Sequence, residues 1–200
     1  ENKYVLVAKD AAGTLLVRSR NGDITINDEG IFAAAGNLVL DAKQNIINAG
    51  QSLNAGSDLT LKSTEGAITN SGVLRAGNDV ELNSYGDVTN SAEIEAKGSA
   101  KLISANGSVN NTPSAETSIT AKAITITAAN DIVSKGNLKA KDGAIYIRAA
   151  NGALTLDGRL TAQNEVTDNV DVINKANITA IAKGDVKHTG GFINAKHGDV

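Results

Sequence analysis

Apolar and polar residues alternate in short stretches along most of the chain. Leu59 and Leu61 alternate with polar residues, and Ile145, Ile147 and Ala149 follow the same rule. A period of two predicts β-strands with one buried and one exposed face. No unit holds the roughly 10–12 residues of helical periodicity that a leucine-rich or ankyrin repeat would need. The pattern therefore predicts an all-β protein built from short strands.

The alternating stretches return at a nearly constant interval. One strand can be followed along the chain by its first apolar residue, in the series Leu15, Leu38, Leu59, Val80, Ala100, Ile124, Ile145, Ile178 and Val200. By subtraction the spacings are 23, 21, 21, 20, 24, 21, 33 and 22 residues, so seven of the eight lie between 20 and 24. We therefore predict a parallel β-helix of about 20–24 residues per coil, with three short strands per coil stacked on their copies in the next coil.

Two turn positions recur in the same phase. Before the third strand of most units stands a residue that enters the left-handed backbone region at little cost, which leads us to expect left-handed turns there. These structural turn positions are Gly22, Gly66, Gly86, Gly107, Asn130, Gly152 and Gly184.

After the third strand comes a column of asparagines, namely Asn48, Asn70, Asn90 and Asn111. Stacked amides can hydrogen-bond from coil to coil, which predicts an asparagine ladder. The alternative is that asparagine simply favours turns.

The composition agrees with a narrow, regular interior. The chain has no Cys, Met or Trp, a single proline, three Tyr and two Phe, against 20 Gly. Such a core must be filled by Leu, Ile, Val and Ala. The net charge of −3 comes with no basic stripe, which argues against a nucleic-acid partner. No apolar run approaches the roughly 20 residues of a membrane-spanning helix.

Two units depart from the regular spacing. The 24-residue step contains a polar loop at 112–118, which includes Pro113, and proline cannot join a central strand ladder. The 33-residue step holds a larger insertion at 163–175, with Glu165, Asp168 and Asp171 as candidate partner contacts. An insertion on a regular rod is a usual place for a binding surface, and the alternative is drift in an exposed turn.

Candidate chemistry is sparse. Asp58 and Asp79 are in phase, but the next coil carries Ser99, so we interpret these aspartates as residues that cap their own turns. His188 and His197 have no metal-ligand spacing and are interpreted as solvated turn residues. We expect no catalytic, cofactor-binding or metal site, and no cofactor.

The repeat itself resembles that of a known family. Residues 53–70 read L-x-A-G-x-D-L-x-L-x-S-x-x-G-x-I-x-N, which is similar to the repeat of the filamentous haemagglutinin family. This family comprises the large exoproteins of bacterial two-partner secretion: adhesins, haemolysins and effectors of contact-dependent growth inhibition. The similarity runs from about Leu15 onwards and is clearest over 53–111 and 138–162. It implies a right-handed parallel β-helix (β-solenoid), exported by an outer-membrane transporter and secreted or displayed on the bacterial cell surface.

The motifs that mark the ends of such proteins are missing. We find neither the NPNL- or NPNG-like motif of the secretion domain nor the VENN motif that precedes many toxins, and the chain opens at Glu1. We therefore expect residues 1–200 to be a single rod segment of a longer chain, acting as a non-enzymatic stalk. One alternative is a receptor-binding module that contacts a receptor or glycan through 163–175. Another is a β-helical polysaccharide lyase or hydrolase.

Overall fold

The computed structural model describes residues 5–27, 31–113, 117–163, 177–195 and 199–200. In these residues the chain forms 25 β-strands and no helix, and every strand pair is parallel. The strands follow one another around three sheets, so that every third strand returns to the same sheet one layer further on. The predicted parallel β-solenoid with three short strands per coil is confirmed.

The three sheets contain nine, eight and eight strands. Sheet A contains β1 (Val5–Ala8), β4 (Ile31–Ala34), β7 (Leu53–Ala55), β10 (Leu74–Ala76), β13 (Ile94–Ala96), β16 (Thr117–Ala121), β19 (Asn137–Ala140), β22 (Leu160–Ala162) and β25 (Ile193–Ala195). Sheet B contains β2 (Thr14–Ser19), β5 (Asn37–Ala42), β8 (Leu59–Ser63), β11 (Val80–Ser84), β14 (Ser99–Ser104), β17 (Ala123–Ala128), β20 (Ile145–Ala149) and β23 (Ile178–Ala182). Sheet C contains β3 (Ile24–Ile26), β6 (Ile46–Asn48), β9 (Ile68–Asn70), β12 (Val88–Asn90), β15 (Val109–Asn111), β18 (Ile132–Lys135), β21 (Leu154–Asp157) and β24 (Val186–Gly190).

The register of sheet B follows the series that the sequence predicts. Leu15 pairs with Leu38, Leu38 pairs with Leu59, and the pairing continues through Ile145 with Ile178. Both irregular steps keep this register, since Ala100 still pairs with Ile124 across the 24-residue step. The paired strands on either side of both steps therefore stay in phase.

The corners of the two long steps are only partly described. In the 112–118 loop, Thr112 N donates to Asn90 O at 2.8 Å, and a register shift follows between Thr117 and Ile119. The residues between Pro113 and Thr117 lie outside the described part of the chain. The 163–175 insertion falls between β22 and β23, and of its residues only Gln163 is described.

The interior consists of columns of similar side chains, one from each coil. Sheet B contributes Leu40, Leu61, Leu82 and Leu102 to one column, all fully buried and paired in register. At the last position of each sheet A strand stands an alanine, in the column Ala8, Ala34, Ala55, Ala76, Ala96, Ala121, Ala140, Ala162 and Ala195. Because the same small residue recurs at this corner, the coils keep a similar cross-section.

The glycine positions before sheet C require a correction. The expected left-handed backbone is wrong at Gly22, Gly66, Gly86, Gly107, Gly152 and Gly184, since none of these glycines has a positive φ. Glycines with positive φ stand elsewhere, for example Gly158 at 139°. At Gly66, a Cβ atom would lie 2.6 Å from the carbonyl carbon of Gln44 in the preceding coil. Close approach between stacked coils, rather than a left-handed turn, therefore accounts for glycine at this position.

Candidate functional site

The asparagines that close the sheet C strands form a continuous hydrogen-bonded column inside the rod. Asn48 Nδ2 donates to Asn70 Oδ1 at 2.8 Å, and Asn70 Nδ2 donates to Asn90 Oδ1 at 2.7 Å. Asn90 Nδ2 in turn donates to Asn111 Oδ1 at 2.9 Å. All four side chains are fully buried. We call this column the asparagine ladder.

Each amide of the ladder also holds the turn that follows it. Asn48, Asn70 and Asn90 use the second N–H of Nδ2 to bond the main-chain oxygens of Gln51, Gly72 and Ala92, each at 2.7 Å. A buried amide costs free energy unless its donors and acceptors are satisfied, and here both N–H groups have partners. The same side chain thus links two coils and fixes the backbone of a corner.

The ladder ends where the register places other residues. On the amino-terminal side, Ile26 occupies the position paired with Asn48. On the other side, Asn111 Nδ2 donates to the hydroxyls of Ser118 at 2.5 Å and Ser134 at 3.1 Å. The two hydroxyls take over the accepting role of an asparagine, and both serines are buried. Neither serine was expected from the sequence. Ser118 was assigned to the 112–118 loop but lies in strand β16, and Ser134 replaces asparagine in the column.

A second column of buried polar side chains, formed by serines, was not predicted from the sequence. Ser63, Ser84 and Ser104 stand in register at the last position of their sheet B strands. The Oγ of Ser63 donates to Gln44 O at 2.5 Å and accepts from Gly66 N at 3.1 Å. The sequence does contain a pattern that predicts this column, because each serine stands two residues after the second buried aliphatic residue of its strand.

The aspartates at the corners bridge coils, which corrects the interpretation that they cap their own turns. Asp58 Oδ1 accepts a hydrogen bond from the main-chain nitrogen of Asp79, one coil further on, at 3.1 Å. Asp87 Oδ1 bonds Ser108 N at 2.7 Å in the same way. These carboxylates are therefore engaged with the backbone of the following coil.

A shallow groove lies on the outer face of sheet A. It has a volume of about 240 Å³ and is lined by Asn137, Leu138, Lys139, Arg159, Thr161 and Gln163. The Arg159 guanidinium lies 4.2 Å from the centre of the Phe192 ring, an arrangement that favours a cation–π contact. Gln163 lines the groove and is also the first residue of the 163–175 insertion. Glu165, Asp168 and Asp171, the candidate partner contacts, lie outside the described residues.

Exposed ion pairs join neighbouring coils on the rod surface. Arg18 Nε lies 2.8 Å from Asp41 Oδ2, and Arg75 Nε lies 3.5 Å from Glu95 Oε2. Because these side chains are solvated, each pair contributes only about 0–1 kcal/mol to stability. Each pair therefore places opposite charges side by side on adjacent coils.

The described residues contain no cluster of three or more His, Asp or Glu side chains that could hold a metal ion. His188 lies in strand β24 rather than in a turn, with Nε2 3.1 Å from Gly158 O, and His197 is not among the residues described. In the part of the chain that the structure covers, no helix is long and apolar enough to cross a membrane.

A stack of similar coils, with buried ladders and a polar exterior, defines a structural repeat protein. Comparison with protein families agrees: the model of the haemagglutinin repeat matches residues 10–163 and 140–196. The chain belongs to the haemagglutinin repeat family, so the resemblance seen in the sequence is confirmed. This is a structural adhesin family of secreted surface exoproteins, and its place in two-partner secretion implies an outer-membrane transporter as a partner. Searches of the curated proteins and of the solved structures found no significant match.

Proposed function

We propose that this chain is part of the stalk of a two-partner-secretion exoprotein, holding a distal adhesive or effector region away from the bacterial surface. Delivery of an effector in contact-dependent growth inhibition is the more specific form of this proposal. The observation that supports it best is the uninterrupted register of sheet B from Leu15 to Ile178. A rod held by the same contacts in every coil provides reach and stiffness, and neither requires a reactive side chain.

The stalk proposal predicts that whole coils can be removed without loss of function. Deleting residues 59–79 from the full-length exoprotein joins Asp58 to Val80, which restores the phase of the repeat. We expect secretion and cell binding to persist, while small-angle scattering shows a rod shorter by about 4.8 Å, the spacing of paired strands.

The matched control removes residues 59–68, about half a coil. This deletion places inward-facing residues out of register, so we expect secretion and the β-sheet signal in circular dichroism to fall. Loss of cell binding after the whole-coil deletion, with secretion and β-sheet intact, would contradict the stalk proposal and locate a binding site within the removed coil.

A second candidate function is receptor binding through the 163–175 insertion. The groove on sheet A favours it, because Gln163 lines the groove and Lys139 and Arg159 bring two positive charges to its wall. A protein or glycan receptor held at this corner would contact the insertion and the groove together. In this proposal Glu165, Asp168 and Asp171 supply the polar contacts of the insertion.

Deleting residues 164–175 tests this second function. The step from Ile145 to Ile178 then falls from 33 to 21 residues, which is the length of a regular coil, so we expect the fold to survive. Binding of the exoprotein to target cells should be lost, and the triple variant Glu165→Gln, Asp168→Asn, Asp171→Asn should weaken it at unchanged length. Cell binding equal to that of the parent in both variants would refute receptor binding at this corner.

A further inference from the structure

Asn-Gly pairs recur at the exposed turn between sheets B and C, and two of them can be compared directly. Asn106 and Gly107 lie between β14 and β15, and Asn151 and Gly152 lie between β20 and β21. Both asparagine side chains are exposed to solvent. A third Asn-Gly pair, at 21–22, occupies this turn in the first coil. The described residues contain no equivalent turn in a preceding coil, so this pair is not compared with the other two.

The two turns differ in the hydrogen bond of the glycine nitrogen and in a bond that Asn106 O accepts from Asn130 Nδ2 at 3.1 Å. Gly107 N donates to Ser104 Oγ at 3.0 Å, and that hydroxyl donates in turn to Gly86 O at 2.7 Å. In the other turn the equivalent position is Ala149, which stands in the same register column as Ser104. Since alanine has no hydroxyl, Gly152 N has no acceptor among the described residues.

The glycine nitrogen of an Asn-Gly pair can take part in a reaction of the backbone itself. In an Asn-Gly pair the glycine nitrogen attacks the asparagine Cγ: the N–Cγ bond forms, the Cγ–Nδ2 bond breaks, and ammonia leaves. The glycine N–H gives its proton to a base in solution, and the departing Nδ2 takes a proton from water, so that it leaves as ammonia. Water then opens the succinimide ring, which leaves aspartate or isoaspartate. A hydrogen bond from the glycine N–H to a serine hydroxyl opposes both loss of that proton and movement of the nitrogen.

We propose that Asn151 is a site of spontaneous deamidation in the folded rod and that Ser104 protects Asn106 from the same reaction. The modification adds a negative charge to an exposed turn. In the isoaspartate product it also adds one main-chain carbon between β20 and β21. The proposal concerns the turn chemistry alone and does not depend on the stalk or receptor functions.

The test follows deamidation at both sites in one sample. The purified chain is incubated in mildly alkaline buffer and digested with trypsin, which places Asn151 in the peptide 149–159, and fragment masses assign the modified residue. We expect Asn151 to react about fivefold faster than Asn106, a ratio that corresponds to about 1 kcal/mol, the net worth of one hydrogen bond. In denaturant the two rates should converge, because the protecting bond is lost.

Reciprocal variants provide matched controls. Ser104→Ala should raise the rate at Asn106 about fivefold, and Ala149→Ser should lower the rate at Asn151 by a similar factor. Ala149 tolerates serine because Ser63, Ser84 and Ser104 fill the same column, and circular dichroism checks that each variant folds. Equal rates at the two sites in the folded chain would overturn the proposal. The proposal would also be overturned if neither variant changed the deamidation rates. It would be overturned as well if Asn151 did not react in the folded chain under conditions in which the denatured chain reacts.

Discussion

Replacing Asn90 with alanine should lower the free energy of unfolding by about 3 kcal/mol or more. Asn90 stands in the middle of the asparagine ladder, where it accepts from Asn70 and donates to Asn111 and to Ala92 O. Alanine would leave three groups without partners: an N–H donor of Asn70, the Asn111 Oδ1 acceptor and the Ala92 O acceptor. Each such group costs about 1–3 kcal/mol, so the loss exceeds that of an ordinary hydrogen bond.

The measurement is equilibrium unfolding in denaturant, with hydrogen exchange of the backbone to locate the loosened coils. Thr89→Ala is the matched control, because Thr89 is the neighbouring residue of the same strand and faces outward. We expect the control to change stability by no more than about 0.5 kcal/mol. If Asn90→Ala and Thr89→Ala are equally stable, the ladder is only a consequence of turn preference.

Replacing Leu82 with alanine should cost about 2–5 kcal/mol. Leu82 is fully buried at the centre of its strand and lies between Leu61 and Leu102 in the adjacent coils. The regular stack offers no neighbouring side chain that can move into the vacated space without breaking register, so a cavity remains. Because each coil contacts only its neighbours, the damage should concentrate in three consecutive coils.

Glu81→Ala on the same strand is the control for this substitution. The Glu81 side chain faces outward and is half-exposed, so its removal should have little effect. Equal loss of stability from Leu82→Ala and Glu81→Ala would show that burial of the leucine column does not stabilise the rod. If Leu82→Ala reduced protection from hydrogen exchange equally along the whole rod, the coils would unfold together rather than locally.

The fold was predictable because its main signals are local. Alternation of period two gives the strands, and the recurrence from Leu15 to Ile178 gives the register, which the pairing of sheet B confirms. The family was predictable for the same reason, since one complete copy of its repeat motif lies within the 18 consecutive residues 53–70. The paired strands also stay in phase across the 33-residue step, since Ile145 pairs with Ile178.

The details that sequence reasoning missed depend on the distance between adjacent coils. The role of Gly66 is set by the backbone of Gln44 in the preceding coil, so left-handed preference suggested the wrong cause. Asp58 bonds the backbone of a residue 21 positions away, while turn statistics describe only its immediate neighbours. Ser134 accepts from Asn111 because the fold places it in the ladder, and a column with mixed residue types is hard to see in a sequence.

The asparagine ladder also decides between alternative strand alignments that the aliphatic residues would accept. A slip of one residue turns every side chain to the wrong face, so alternation alone forbids it. A slip of two residues keeps the faces correct and, in sheet C, would place Asn70 against Val88 instead of Asn90. The amide would then be buried without its partner, at a cost of about 1–3 kcal/mol for each unsatisfied group. Four asparagines thus make one alignment unique where an interior made only of Leu, Ile and Val would allow several.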